Sequence, residues 1–358
     1  MKMKMSKSTR SNFITYAMVI IAYVILQFMM SQGMISSSLG GQMVPICVYI
    51  VMAVSLNLTV GILGELSLGH AGFMSVGAFS GVVAAISLQS VIPNGALRLI
   101  AAVIIAGAVT AVAGILIGIP VLRLKGDYLA IVTLAFGEII KNILNNLYVG
   151  VDGSGLHVSM SSVKELGMDA GTVIINGPMG AVGITKLSTF FAGFVLILIT
   201  LFVTLNLIKS RSGRAIMACR DSRIAAESVG INITKYKMMA FVTSAVLAGM
   251  AGALYGLNFS TVAASKFKFD TSILVLVFVV LGGLGNMWGS VIAAAALTIL
   301  PEALRQFSNY RMLVYAIVLI LVMLATNNPT LKGFFSRLFH RERADAPHAA
   351  AVKGGGKQ

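Results

Sequence analysis

Apolar residues fall in long runs along this chain, separated by short polar or glycine-rich stretches. A membrane-spanning helix needs about 20 apolar residues. Ten runs approach that length: 13–31, 43–63, 71–89, 98–122, 128–148, 188–208, 238–258, 270–285, 289–304 and 311–327. The pattern predicts an all-α polytopic membrane protein with about 10 transmembrane helices. Two places fit badly as plain helices: Gly61–Phe73 (GILGELSLGHAGF) and Leu281–Ser290 (LGGLGNMWGS). Each is a glycine-rich interruption between apolar runs, and they lie on opposite sides of a basic central stretch. Short interrupted segments at corresponding positions of two halves point to a transporter's broken helices. On that reading the chain has two related halves, and Gly64, Glu65, Gly69, His70, Gly282, Gly283 and Gly285 line or flank a translocation path. Glycine equally serves close helix packing. With 37 glycines, the pattern alone supports either role.

The polar stretches organise the rest. Lys209–Lys237 carries seven Lys/Arg and two acidic residues between two long apolar runs, so it must face water. It also looks folded. Ser212 is expected to cap a short helix through Arg220. Asp221 or Ser222 is expected to cap a second that stops at Gly230. Such a loop either sets topology through its charge or docks a soluble partner. The 149–187 segment is the longest outer loop, turn-rich at GVDGSG (150–155) and with VIINGP (173–178) as a strand running into a turn. The organisation read from this pattern is a tail over 1–12, a transmembrane bundle over 13–330 and a largely disordered tail over 331–358.

Composition narrows the class. The 358 residues are 57% hydrophobic and 11% charged, with mean hydropathy +0.91; soluble domains carry about 25% charged residues. Net charge is +15, but the basic residues sit in short loops and tails, which argues for orientation signals and against nucleic acid. Placing the N-terminus inside and alternating the spans puts 19 of the 27 Lys/Arg on the inner side. Both termini are therefore expected to be cytoplasmic and 149–187 outside. Lys2–Arg10 followed by Phe13–Met30 resembles a signal sequence. Its apolar run is longer than the roughly 7–15 residues of a cleavable core, so it reads as a retained first span.

Little in the sequence suggests an enzyme. There is no phosphate-binding G-x-x-x-x-G-K-[ST]. His70, His157, His340 and His348 are scattered. Ser67 and His70 are three apart, but no G-x-S-x-G surrounds them. Cys47 and Cys219 belong at different depths. Neither a disulfide, a metal nor a cofactor is expected. Charges near membrane depth are costly and tend to be functional. Glu138 and Lys141, three apart, can pair on one helix face. Asp127 suits a helix N-terminus. Glu65 and His70 point into a cavity if the first break is re-entrant, and are solvated if it is a cytoplasmic turn.

Several blocks resemble one family together. VSLNLTVGILGELSLGHAGFMSVGAF (54–79), DYLAIVTLAFGEIIKNILNN (127–146), GVDGSGL (150–156), the block from Gly213 to Gly256, and VLGGLGNMWGSVIAAAALTILPEALRQFSNYRML (280–313) are similar, in order, to permeases of branched-chain amino acid ABC importers. The LPE-x-LR-x-FS-x-YRML end resembles the LivM-type member of the permease pair. The chain departs from the family at Val149–Val151, where members usually show Thr-Gly-Gly. The resemblance implies a multi-pass inner-membrane permease, without catalysis or cofactor of its own. The partners it implies are a LivH-type permease, two cytoplasmic ATPase subunits and an external solute-binding protein, all at a lipid bilayer. It also implies alternating access, with Asp221, Ser222, Arg223, Ile224, Ala225, Ala226, Glu227, Ser228, Val229 and Gly230 forming the helix that couples to an ATPase. A urea or short-chain amide permease shares the early and central motifs. A stand-alone secondary transporter is a further alternative, poorly served by so few buried carboxylates.

Overall fold

The computed structural model describes residues 7–304 except 35, 125, 154, 169 and 170, together with positions 313, 316, 317 and 320. The chain divides into two units, residues 1–305 and 306–358. Of the second, only those four positions are described. The span expected over 311–327, the LPE-x-LR-x-FS-x-YRML end beyond Leu304, and the tail expected to be disordered otherwise fall outside the described residues.

The first unit is mainly helical. In order it contains α1 (Lys7–Ser31), α2 (Ser37–Asn57), a π-helical turn (Leu58–Leu63), α3 (His70–Ser87), α4 (Gly95–Val121) and α5 (Asp127–Asn145). There follow β1 (Tyr148–Asp152), β2 (Gly155–Ser159), β3 (Thr172–Asn176), α6 (Phe190–Lys209), α7 (Arg211–Asp221) and α8 (Arg223–Ser228). Last come α9 (Ile233–Gly256), α10 (Phe269–Gly282) and α11 (Met287–Ala303). Among the described residues, six helices are long and apolar enough to cross a membrane: Ser38–Leu63, His70–Ser87, Gly95–Val121, Tyr128–Asn145, Phe190–Lys209 and Ile233–Gly256. Thr15–Ser31 and Met287–Ala303 are shorter apolar helices. This is a multi-pass membrane architecture.

Burial sorts the helices. The apolar stretch of α2 is 89% buried and that of α5 only 22%, so α2 runs through the middle and α5 along the rim. α4 turns Ile100, Ile104, Val112 and Leu116 outward, a strip that water would penalise and lipid accepts. At the centre, α3 and α9 touch backbone to backbone. A Cβ on Gly77 would collide with the Gly249 carbonyl, and one on Gly252 with the Met74 carbonyl. With no hydrophobic force between helices in lipid, such small-residue crossings supply the packing energy. α1 is tied to α6 by Tyr23, whose ring stacks on Phe194 and Phe190 at centroid distances of 4.0 and 5.1 Å.

The fold is not purely α. The outer-loop segment forms a three-stranded antiparallel sheet in the order β2-β1-β3, with Tyr148 opposite Ser159 on one side and Asn176 on the other. The turn-rich GVDGSG is the corner of the β1–β2 hairpin, where Gly155 N donates to Asp152 Oδ1 at 3.1 Å. The strand expected within VIINGP is β3. The divergent Val149–Val151 lies in the central strand, where Gly150 leaves room for Met168.

Candidate functional site: two glycine-rich breaks and the basic loop

The basic loop folds into two short helices. Ser210, rather than the expected Ser212, caps α7, its Oγ accepting from Gly213 N at 3.0 Å. Ser222 caps α8 by accepting from Ala225 N at 3.3 Å. The turn after α8 closes at Gly230, with φ +80°. The expected helix over Asp221–Gly230 therefore shrinks to Arg223–Ser228. Asp221 closes α7, and extended Ser222 separates the two helices. Within the stretch expected to dock, only Ala226 is withdrawn from the surface. Ala226 points inward, 3% exposed, into a small cluster with Cys219, Ile233 and Ile231. Ile224 and Val229 point out, 82% and 74% exposed, beside exposed Ala225 and Ser228. Arg223 and Glu227 form a loose pair at 3.6 Å. Burial in the cluster pushes the Cys219 thiol up from its ordinary pKa.

The first break begins where α2 loosens into the π-helical turn. Gly64, with φ +78°, ends it by donating to Thr59 O, and non-helical backbone continues to Gly69. Three tethers hold this stretch. Glu65 pairs with Lys237 at the start of α9, both side chains nearly buried. Leu68 N donates to Thr133 Oγ1 on α5 at 3.1 Å. Arg220, in the last turn of α7, donates from Nη1 to Gly61 O at 3.0 Å. Its stem lies over Gly64, so a Cβ there would sit 2.5 Å from Arg220 Cγ. Glu65 thus neither lines a cavity nor stands solvated; it is ion-paired. His70 opens α3 fully buried, its Nε2 2.8 Å from Ser55 Oγ on α2.

The second break is shorter. α10 ends at Gly282, Gly283 and Gly285 take φ of +93° and +79°, and Asn286 caps α11 through Gly289 N at 3.5 Å. The two breaks meet at Asn57. Its Oδ1 accepts from Gly285 N at 2.8 Å. Its Nδ2 donates to Ser290 Oγ at 2.8 Å and to Asn286 O at 3.1 Å. A Cβ on Gly61 would strike both Asn57 Oδ1 and Gly285 N.

The residues expected to flank a path are thus only partly gathered. Gly64, Glu65 and Gly285 belong to the joined breaks. Gly69 packs on the Thr133 backbone of α5, and Gly282 on Gly289. An apolar cavity of about 310 Å³ lies between α1, α2, α6 and α11, and none of the expected path residues lines it. The inward roles of Asn57, Arg220 and Lys237 were missed. The signal for Asn57 was an amide inside an apolar run. For Arg220 and Lys237 it was a lone carboxylate, Glu65, in need of a nearby cation. Glu138 and Lys141 do pair on α5. Asp127 opens α5, but its side chain falls outside the described residues. Both cysteines are free. Among the described residues, no three His, Cys, Asp or Glu side chains gather as a metal site.

Comparison with known proteins gives the chain a family. The family described as "Branched-chain amino acid transport system / permease component" matches residues 38–323. The chain belongs to that family. It is 35% identical over 296 residues to the high-affinity branched-chain amino acid transport system permease protein LivM of Salmonella typhimurium, and 33% identical over 297 residues to LivM of Escherichia coli. Each match covers 77% of this chain and 66% of the relative, so the matched region falls just short of two thirds of those relatives. The permease LivH of Escherichia coli matches at 34% identity over 133 residues, 36% of this chain and 42% of its own. The likeness to LivM thus runs through most of the bundle, and that to LivH through part of it. No solved structure matches.

Proposed function

We propose that the chain is the transmembrane permease subunit of an ATP-binding-cassette importer for branched-chain amino acids. The observation that carries this reading is the LivM likeness over 77% of the chain. We take the whole to have about ten spans in two related halves, the broken units being α2–break–α3 and α10–break–α11. Both termini and the 209–237 loop are cytoplasmic. The 149–187 loop, with its sheet, is external and faces a solute-binding protein. A LivH-like chain completes the permease pair, and two cytoplasmic ATPase subunits supply the energy.

The coupling surface is α8. Six helical residues span only about 9 Å, so it is a tip rather than a long ridge. Its outward Ile224 and Val229 suit an apolar pocket, with Arg223 and Glu227 as a polar rim. The joined breaks are the hinge of alternating access, and Gly64, Glu65, Gly285 and their neighbours flank the path. Uptake tests the reading: vesicles carrying the chain with its cognate LivH-like and ATPase subunits and binding protein should accumulate leucine, isoleucine or valine only with ATP. Ile224→Ala with Val229→Ala should abolish both uptake and ATPase co-purification. Uptake driven by an ion gradient without ATP would favour a secondary transporter, and uptake of urea but not leucine would favour the amide permeases.

A further inference from the structure

Building on the transport reading, we propose that Arg220 is a positioning residue that carries movement of α7 and α8 to both glycine-rich breaks, with Asn57 as the second link. Sequence logic would aim Arg220 at a partner. The structure turns it inward: Nε and Nη2 donate to Asp221 Oδ1 at 3.0 and 2.9 Å, which fixes the guanidinium, while Nη1 reaches Gly61 O at 3.0 Å. Gly61 O is among the last carbonyls of a helix that stops at Gly64, so the helix itself does not supply its partner. α7 and α8 share the Cys219–Ala226–Ile233 cluster, so a push on α8 displaces Arg220 with it. Four residues on, the break is pinned separately by Glu65 to Lys237. Gly61 is therefore pulled against a fixed point. Gly61 and Gly285 touch backbone to backbone, and Asn57 bonds Gly285, Asn286 and Ser290 together. The first break cannot move without the second.

The test is a double-mutant cycle in the assembled complex. Arg220→Gln should leave ATPase co-purification and the thermal midpoint at wild-type level, yet cut uptake about tenfold, the scale of one charge-assisted bond. Arg220→Lys, which keeps the charge and loses the fork, should not rescue it. Asn57→Ser leaves buried partners unmet and should lower the thermal midpoint, yet in the protein that reaches the membrane it should cut uptake by a like factor, and the double variant should be no worse than the worse single; independent roles would multiply to about a hundredfold. If Asn57→Ser does not reach the membrane, Ser290→Ala takes its place in the cycle. Multiplying effects, full uptake in Arg220→Gln, or a loss of uptake in Arg220→Gln matched by loss of co-purification or of thermal stability would each overturn the relay. Absence of ATP-dependent uptake in the wild-type complex is a separate result: it defeats the transport reading, and the relay with it.

Discussion

The two glycine-rich breaks read alike in sequence and are held in opposite ways. The first is tied to three elements: to α7 by Arg220, to α9 by Lys237 and to α5 by Thr133. The second is bonded across the bundle by Asn57 alone among the contacts described above, and it leaves Leu284 57% exposed at its corner. Glycine also does different work in each. At Gly61 it permits backbone-to-backbone approach; at Gly283 it permits a positive φ with an extended ψ, with space around it. Glycine content therefore marks where a helix breaks, and only the neighbouring polar side chains show which break receives force and which follows.

The sharpest way to break this comparison is Gly61→Ala against Gly283→Ala. At Gly61 the new methyl meets a backbone nitrogen, which cannot swing away, so uptake should be abolished even where the protein reaches the membrane. If Gly283→Ala proves equally damaging, the breaks are equivalent. Next in size is Lys237→Ala. It strands Glu65 in a nearly buried place and should cost about 3 kcal/mol, read as a lowered thermal midpoint, with Glu65→Ala in the same chain recovering most of it. Gly283→Ala itself should cost about 2–3 kcal/mol, because φ +93° with ψ 124° lies outside the left-handed helical well in a region that strains any other residue, with uptake largely kept. Smallest, Ser222→Ala removes the α8 cap for about 1 kcal/mol. Hydrogen exchange at the Ala225 amide should quicken, while Ser212→Ala leaves it unchanged.

Much of the fold was legible because lipid makes helices the default: long apolar runs leave few alternatives. The breaks were legible because clustered glycine interrupts a helix whatever surrounds it. Register was harder. Ser210 and Ser212 are both credible caps, and which one wins depends on where α6 ends against its neighbours. The hairpin hid behind its own turn: Asp152-Gly153 announced a corner, but the short β1 and β2 beside it alternate too weakly to stand out. The inward turn of Ala226 on α8 was not legible. Ala226 is small enough for either side, and only its contact with Cys219 and Ile233, distant or distinct in pattern, decides. Asn57 belongs to the same class, since an amide becomes a clamp only when a second segment is brought to it.

The glycine crossing of α3 and α9 has a mechanical consequence. Gly77 and Gly252 act as notches, each seating the facing backbone. A slide of a fraction of a turn would lift every notch off its seat and wedge a side chain there, so the pair cannot shear smoothly. α3 and α9 should travel as one rigid spar. Any change of shape must then be a pivot about the spar's ends, one of which lies where Glu65 meets Lys237.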